Sequence, residues 1–424
     1  MYDTQSPPPE RALLIGLERP GHDRWSVKDS LDELRELTES AGATVLDTLT
    51  QKRDAPSAPT FIGRGKADEI GDRCEATGAN VVVFDDDLTP AQGRNLGDIF
   101  GKDIKVIDRT ELILDIFAQR ARTREGKIQV ELAQLEYMLP RLTGLWTHLS
   151  RQRGGMGCRG PGETQLEVDR RRVQEKIKRL QDQLEEVRKN RRVERSGRQK
   201  LHWPSVSIIG YTNSGKSTLM NALTGAGVLA EDKLFATLDP TTRKHRLPNN
   251  QNILLSDTVG FLRKLPHHLV ESFKATLEET AEADLLLHVV DVSHPQAREQ
   301  IKAVEVVLHE INAWDKPTVI ALNKIDRHEV DPATLSKFPD GVPISAKCGT
   351  NLDLLQQDIA NKLRERRVNV TLSIPAKRAQ TIALVYRAGY VTAREHADGN
   401  VVLKAQIPKV LAGELKPYVV ETED

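Results

Sequence analysis

The stretch Val206-Ser-Ile-Ile-Gly-Tyr-Thr-Asn-Ser-Gly-Lys-Ser217 constrains the fold more than any other part of the chain. Its first five residues are an apolar run that reads as a buried strand, and a helix is expected to open at Lys216. Between them lies a glycine-bearing loop ending in Gly-Lys-Ser. Glycines let backbone N–H groups turn inward around phosphate oxygens, and the helix start adds the positive end of its dipole. In such a cradle Lys216 reaches the β/γ oxygens as a point charge and the Ser217 hydroxyl ligates Mg2+. Gly210, Tyr211, Thr212, Asn213, Ser214 and Gly215 form its wall. A strand-loop-helix of this kind rests on a parallel sheet. Residues 253–257, 285–291 and 318–323 read as further strands, and 297–313 and 352–367 as helices. The expectation for residues 201–370 is a doubly wound α/β domain.

Three further motifs follow in order, each at a strand end. In Asp257-Thr258-Val259-Gly260, Asp257 would hold Mg2+ through water and the Gly260 N–H would sense a γ-phosphate. In Asn323-Lys324-Ile325-Asp326, the Asp326 carboxylate can accept from guanine N1–H and its exocyclic amine, a pair adenine lacks. Ser345-Ala346-Lys347 would close over the base with backbone N–H groups. Together they predict a GTP site. The Mg2+-ligating switch threonine is expected in Phe235-Ala236-Thr237-Leu238-Asp239-Pro-Thr-Thr-Arg243; Thr237 suits a short switch loop, and Thr241 and Thr242 are read as shaping the turn around Pro240. Phe261 stands where a Gln often orients water, so slow intrinsic hydrolysis is expected, accelerated by a partner or a bound cation. Asn213 is a candidate potassium ligand beside the phosphates, with a loop-stabilising role as the alternative. A potassium site predicts faster turnover in potassium than in sodium; equal rates remove it. Arg243 and Arg263 are possible fingers, more simply read as solvated. His267 and His268 have no ligand partners at suitable spacing, so no metal beyond Mg2+ is expected.

The rest of the chain divides by pattern. Residues 1–108 alternate short apolar runs with amphipathic stretches, which implies a small parallel sheet with helical crossovers. Gly63-Arg-Gly65 is read as a plain turn. Residues 109–200 carry two heptad-like seams, at 128, 132, 135, 139, 142 and at 166, 173, 177, 180, 184, 187, flanking a Gly/Arg-rich stretch at 151–163. An antiparallel helical hairpin follows. Residues 371–424 read as a small α+β domain. The three cysteines form no CxxC, which suits a cytoplasmic protein, and no apolar run approaches membrane-spanning length. Formal net charge is +0, but residues 1–150 sum to −7, 151–200 to +8 and 201–424 to −1. Arg151, Arg153 and Arg159 have no acid among residues 151–162 and are candidate RNA contacts.

These residues closely resemble the bacterial HflX family of translation-factor-related GTPases. The match is carried by Phe61-Ile-Gly-Arg-Gly-Lys66, by Asp108-Arg-Thr-Glu-Leu-Ile-Leu-Asp-Ile-Phe117, by Gly154-Gly-Met-Gly-Cys-Arg-Gly-Pro-Gly-Glu-Thr-Gln-Leu-Glu167 with Asp169-Arg-Arg171, and by the Gly210 and Phe235 motifs. The resemblance implies a GTPase that binds the 50S subunit and 23S rRNA and splits stalled or idle 70S ribosomes, notably in heat stress. It also implies Mg2+ on Ser217 and Thr237, and an N-terminal part and hairpin directed at the peptidyl-transferase centre. Two other readings are an ATP-powered RNA helicase or chaperone working through the N-terminal domain, and a GTP switch that only recruits an effector. A monomer is the default.

Overall fold

The computed structural model describes the chain apart from residues 1–9, 21–26, 146–160, 200–202, 226–233, 236, 239–240, 265–273, 328–334, 337, 365–366, 398 and 424. The candidate RNA contacts Arg151, Arg153 and Arg159, the switch residues Ala236 and Asp239, and His267 and His268 lie outside the described residues. The structure is α/β, with two compact units.

The first unit holds a parallel sheet of β1 (Arg11–Glu18), β2 (Thr44–Lys52), β3 (Val81–Phe84) and β4 (Lys105–Asp108), in the order β2-β1-β3-β4. β1 and β3 are near-continuous apolar runs because both sheet faces are covered. The covering helices are α1 (Val27–Ser40), α2 (Arg64–Thr77), α3 (Pro90–Phe100) and α4 (Arg109–Arg120). Their ends are written locally. Thr89 and Gln92 form a reciprocal capping box on α3, and Asp108 caps α4 by accepting from the Glu111 N–H at 2.9 Å. Gly63 is the N-cap of α2 and donates to Gln51 Oε1 at 2.8 Å. The expected turn over Gly63-Arg-Gly65 is therefore the first turn of a helix, since the Gln51 contact holds the chain where a helix can start.

Next come α5 (Arg124–Leu145) and α6 (Pro161–Gln199). Ile128, Leu132 and Leu135, the first three positions of one heptad seam, pack with Ile177, Leu180 and Leu184 of the other. The same unit also takes in Leu234, Phe235, Thr237, Leu238 and Lys264. Phe235 is buried, with its ring edge-on to Phe117 at a centroid distance of 4.6 Å. The Lys264 ammonium lies 2.6 Å from Asp85 and 2.8 Å from Asp86. Asp85 is itself buried and also paired with Arg109 at 2.7 Å and Ser30 at 2.7 Å. Burial pushes the Asp85 carboxyl up to about 6, against the opposing pull of Lys264 and Ser30.

The second unit carries a six-stranded sheet: β5 (Ser205–Gly210), β6 (Thr241–Arg246), β7 (Asn252–Asp257), β8 (Leu285–Asp291), β9 (Thr318–Asn323) and β10 (Gly341–Pro343). Its order is β10-β9-β8-β5-β7-β6, parallel throughout except for β6. Thr241 and Thr242 sit in this antiparallel edge strand, with the Thr242 and Ser256 hydroxyls 2.9 Å apart. The expectation that they shape a turn is corrected: pairing with β7 extends them. The helices are α7 (Lys216–Thr224), α8 (Lys274–Glu282), α9 (Ala297–Glu310) and α10 (Leu352–Arg364). β5 pairs with β7 on one side and β8 on the other, and the chain crosses from one side of it to the other between β7 and β8, which puts a topological switch point at the carboxyl end of β5. A final antiparallel sheet contains β11 (Arg367–Pro375), β12 (Tyr390–Ala397), β13 (Asn400–Pro408) and β14 (Val419–Glu423), ordered β12-β13-β11-β14, with α11 (Ala379–Ala388) and α12 (Lys409–Glu414). No helix among the described residues is long and apolar enough to cross a membrane.

Candidate functional site

The carboxyl ends of the parallel strands β5, β7, β8 and β9 each carry polar groups at this end of the sheet. The loop after β5 is shaped by Gly210 at φ 148° and Gly215 at φ 94°, values that exclude most side chains. A Cβ on Gly210 would lie 2.3 Å from the Val289 carbonyl of the neighbouring strand. Within the loop, the Thr212 and Ser214 hydroxyl oxygens are buried with no hydrogen-bond partner among the described residues. Buried orphan hydroxyls in a glycine-shaped cradle fit a ligand rich in acceptor oxygens.

Lys216 is buried and donates to the Tyr211 carbonyl at 2.6 Å. Burial pulls its ammonium down to about 8, and the charge of Asp257 opposes that shift. Phosphate oxygens would reverse it by pairing the charge. The Ser217 hydroxyl donates to Asp257 Oδ2 at 2.7 Å, so a hydroxyl and a carboxylate stand together beside the cradle. Thr237 is half-buried, while Phe235 and Leu238 on either side of it are buried. Gly260 lies against the loop, where an added Cβ would come within 2.9 Å of Thr212 Cα and Lys216 Nζ. His288 in β8 is buried and pushed down to about 4, by burial and then by Lys216, so it stands there as a neutral ring.

The base end is built by Asn323. Its amide nitrogen donates to the Ser214 carbonyl at 2.8 Å, and its amide oxygen accepts from the Ala346 N–H at 2.9 Å. One side chain thus ties the loop after β5 to the Ser345-Ala346-Lys347 turn. Asp326 is exposed and accepts from the Ser345 hydroxyl at 2.6 Å, a bond that holds its carboxyl below the usual carboxylate range. Lys324 donates to the Asn213 carbonyl at 2.8 Å and pairs with Asp291 at 2.8 Å. Asn213 adopts φ 57°, a left-handed turn position that Asn tolerates well. Arg243 is exposed, and the Arg263 N–H donates to the Tyr211 hydroxyl at 3.0 Å.

Three family models match this chain: a GTP-binding GTPase N-terminal region at residues 28–118, a GTP-binding GTPase middle region at 120–198, and a 50S ribosome-binding GTPase at 205–324. A GTPase HflX of Lacrimispora saccharolytica is 48% identical over 407 residues, spanning 96% of this chain and 95% of that one. The GTPase HflX of Escherichia coli is 47% identical over 388 residues, spanning 90% of each. The chain belongs to the GTPase HflX family. A GTP-binding protein from the archaeon Sulfolobus solfataricus, solved with GDP, aligns at TM-score 0.45 and 27% identity over 84% of this chain and 99% of its own.

As an HflX-family member the protein is a GTPase, and the strand ends carry the polar groups described above. Two of those groups escape motif reading. Asp291 pairs with Lys324 and also accepts from the Ser293 hydroxyl at 2.6 Å, so it steadies the Asn323–Asp326 turn from the neighbouring strand. Its signal was a lone acid closing the apolar run of β8. The other is the phenol of Tyr211. The phosphate-loop pattern leaves that position unspecified, so the motif carries no information about its side chain.

Proposed function

We propose that this GTPase binds the large ribosomal subunit and uses GTP to separate stalled or idle 70S ribosomes into subunits, with heat stress as a condition of need. The observation that carries this reading is the presence, on one chain with a GTPase domain, of a 50-residue segment of net charge +8. Arg and Lys there would neutralise rRNA phosphates, and Arg151, Arg153 and Arg159 in the Gly-rich stretch could stack on unpaired bases of 23S rRNA. The match to a 50S ribosome-binding GTPase model supports the same partner. GTP orders the switch segments and favours a state with high affinity for the subunit; hydrolysis then releases the factor. The protein works as a monomer in the cytoplasm, among ribosomes.

In this reading Asp326 selects guanine, Lys216 holds the β/γ oxygens and Gly260 reads the γ-phosphate. Mg2+ fits beside the cradle, where the Ser217 hydroxyl and Asp257 carboxylate are 2.7 Å apart. Ser217 and Thr237 would ligate it, with Asp257 acting through water. When bound, the ion neutralises charge on the phosphate oxygens. A potassium ion beside Asn213 would add positive charge to the same region, where Phe261 offers no polar side chain.

Sucrose-gradient profiles of 70S ribosomes test the proposal. Subunits are expected with GTP or a non-hydrolysable analogue and intact 70S with ATP. Replacing Arg151, Arg153 and Arg159 together by Ala should weaken subunit binding at least about tenfold near physiological salt, leaving GTP affinity of the free protein unchanged. Intact 70S ribosomes with GTP, or subunit release driven by ATP, would overturn it.

A further inference from the structure

The phenol of Tyr211 has a partner that the phosphate cradle itself does not call for. Tyr211 follows Gly210 directly, in the loop after β5, and its side chain is 5% exposed. Its carbonyl accepts from Lys216 Nζ at 2.6 Å. Its hydroxyl accepts from the main-chain N–H of Arg263 at 3.0 Å, 52 residues further along the chain.

That contact completes a set of anchors around residues 258–260. The register of β5 with β7 ends at Ile208 opposite Asp257. Beyond it the Thr258 hydroxyl donates to the Ile208 carbonyl at 2.6 Å. The chain then leaves the ladder and rejoins it at Phe261. The Phe261 N–H donates to the Gly210 carbonyl at 3.1 Å, the Thr212 N–H donates to the Phe261 carbonyl at 2.8 Å, and Tyr211 and Phe261 form a parallel bridge. Residues 258–260 therefore make an arch pinned at both feet. Its crown, Gly260, lies so close to the loop that an added Cβ would be 2.9 Å from Thr212 Cα. At that distance a shift of a few tenths of an ångström in the arch redirects the Gly260 N–H.

We propose that Tyr211 is a positioning residue for GTP hydrolysis: its hydroxyl clamps the chain just beyond Phe261 and so sets the height of the Gly260 arch over the phosphate loop. The chemistry of the chain makes such a clamp necessary. Phe261 has no side-chain donor or acceptor with which to orient water, so the reaction depends more heavily on backbone groups already aimed where charge develops. The clamp draws on an ordinary hydrogen bond, and its effect is specific to the γ-phosphate because GDP has nothing for the arch to meet. This inference rests on the GTPase activity and not on ribosome splitting.

Tyr211→Phe tests it, because the ring stays and only the hydroxyl that accepts from Arg263 is removed. In the full-length variant, affinity for GDP is expected within twofold of wild type. Affinity for a non-hydrolysable GTP analogue and the single-turnover hydrolysis rate should both fall about fivefold, the scale of one net hydrogen bond. A merely structural bond would weaken both nucleotides alike, so equal losses overturn the proposal, as does an unchanged rate. Amide hydrogen exchange in the unaltered protein gives a second readout that needs no variant. The Arg263 amide is expected to be protected to the degree of the Phe261 amide when the GTP analogue is bound. Exchange of Arg263 at the rate of a free peptide would also overturn the clamp.

Discussion

Replacing Asp326 with Asn is expected to lower GTP affinity about a thousandfold and to create affinity for xanthosine triphosphate. Two hydrogen bonds to a charged carboxylate are at stake, each worth about 1.5–3 kcal/mol. A thousandfold loss corresponds to about 4 kcal/mol, within the roughly 3–6 kcal/mol of the two bonds together. In the proposed role the carboxylate would accept from both guanine N1–H and the exocyclic amine. An amide offers one acceptor and one donor, so its NH2 would face the guanine amine donor to donor. Xanthine carries a carbonyl at that position and restores the match. The substitution should not distort the turn, because Asn323 ties it to the phosphate loop at 2.8 Å and to Ala346 at 2.9 Å, and Ser345 can donate to an amide oxygen as it does to the carboxylate at 2.6 Å. Competition of GTP and xanthosine triphosphate against labelled nucleotide measures both effects. Retention of GTP affinity within tenfold, with no gain for the xanthine base, would remove Asp326 from the specificity role.

The second large effect is expected from Gly260→Ala. The new methyl would sit 2.9 Å from Thr212 Cα and 2.9 Å from Lys216 Nζ. The lysine end can swing aside, but Thr212 is main chain, held by its N–H to the Phe261 carbonyl at 2.8 Å. Relief therefore comes from lifting the arch. A misplacement approaching 1 Å at a reacting centre lowers rates on the order of a hundredfold. Single-turnover GTP hydrolysis should fall by about that factor, while GDP affinity changes only a few-fold. Rapid-quench kinetics beside GDP titration separates the two. Hydrolysis within threefold of wild type would show that the Gly260 N–H is not a group the reaction depends on.

Much of the fold is legible because its central strands are buried on both faces. Residues 285–291 and 318–323 read as strands over the same bounds that the structure shows, since an unbroken apolar run in a parallel sheet needs no partner to be recognised. Helix starts with their own caps, at Thr89 and Asp108, are equally local. The edge strand β6 is different. Thr241-Thr-Arg-Lys-His-Arg246 has no apolar alternation, and it extends only because β7 offers it a ladder. The helix start at Arg64 is set by Gln51, twelve residues earlier than Gly63. β10 is three residues long and carries no pattern of its own.

The nucleotide groups divide along the same line. The sequence by itself determined which residue types stand at the four strand ends, and through them that the chain is a guanine nucleotide enzyme. It did so because phosphate and base recognition demand particular groups at short, local spacings. Only the tertiary structure decided which groups meet: Asn323 with Ser214 across 109 residues, Tyr211 with Arg263 across 52, and Lys264 with Asp85 across 179. Three consecutive aspartates, 85 to 87, are indistinguishable as letters. The fold buries Asp85 among Arg109, Ser30 and Lys264, because it is the one that directly follows β3 and so turns into the unit's interior. Such pairings depend on where chain segments end in space, and a linear pattern carries no record of that.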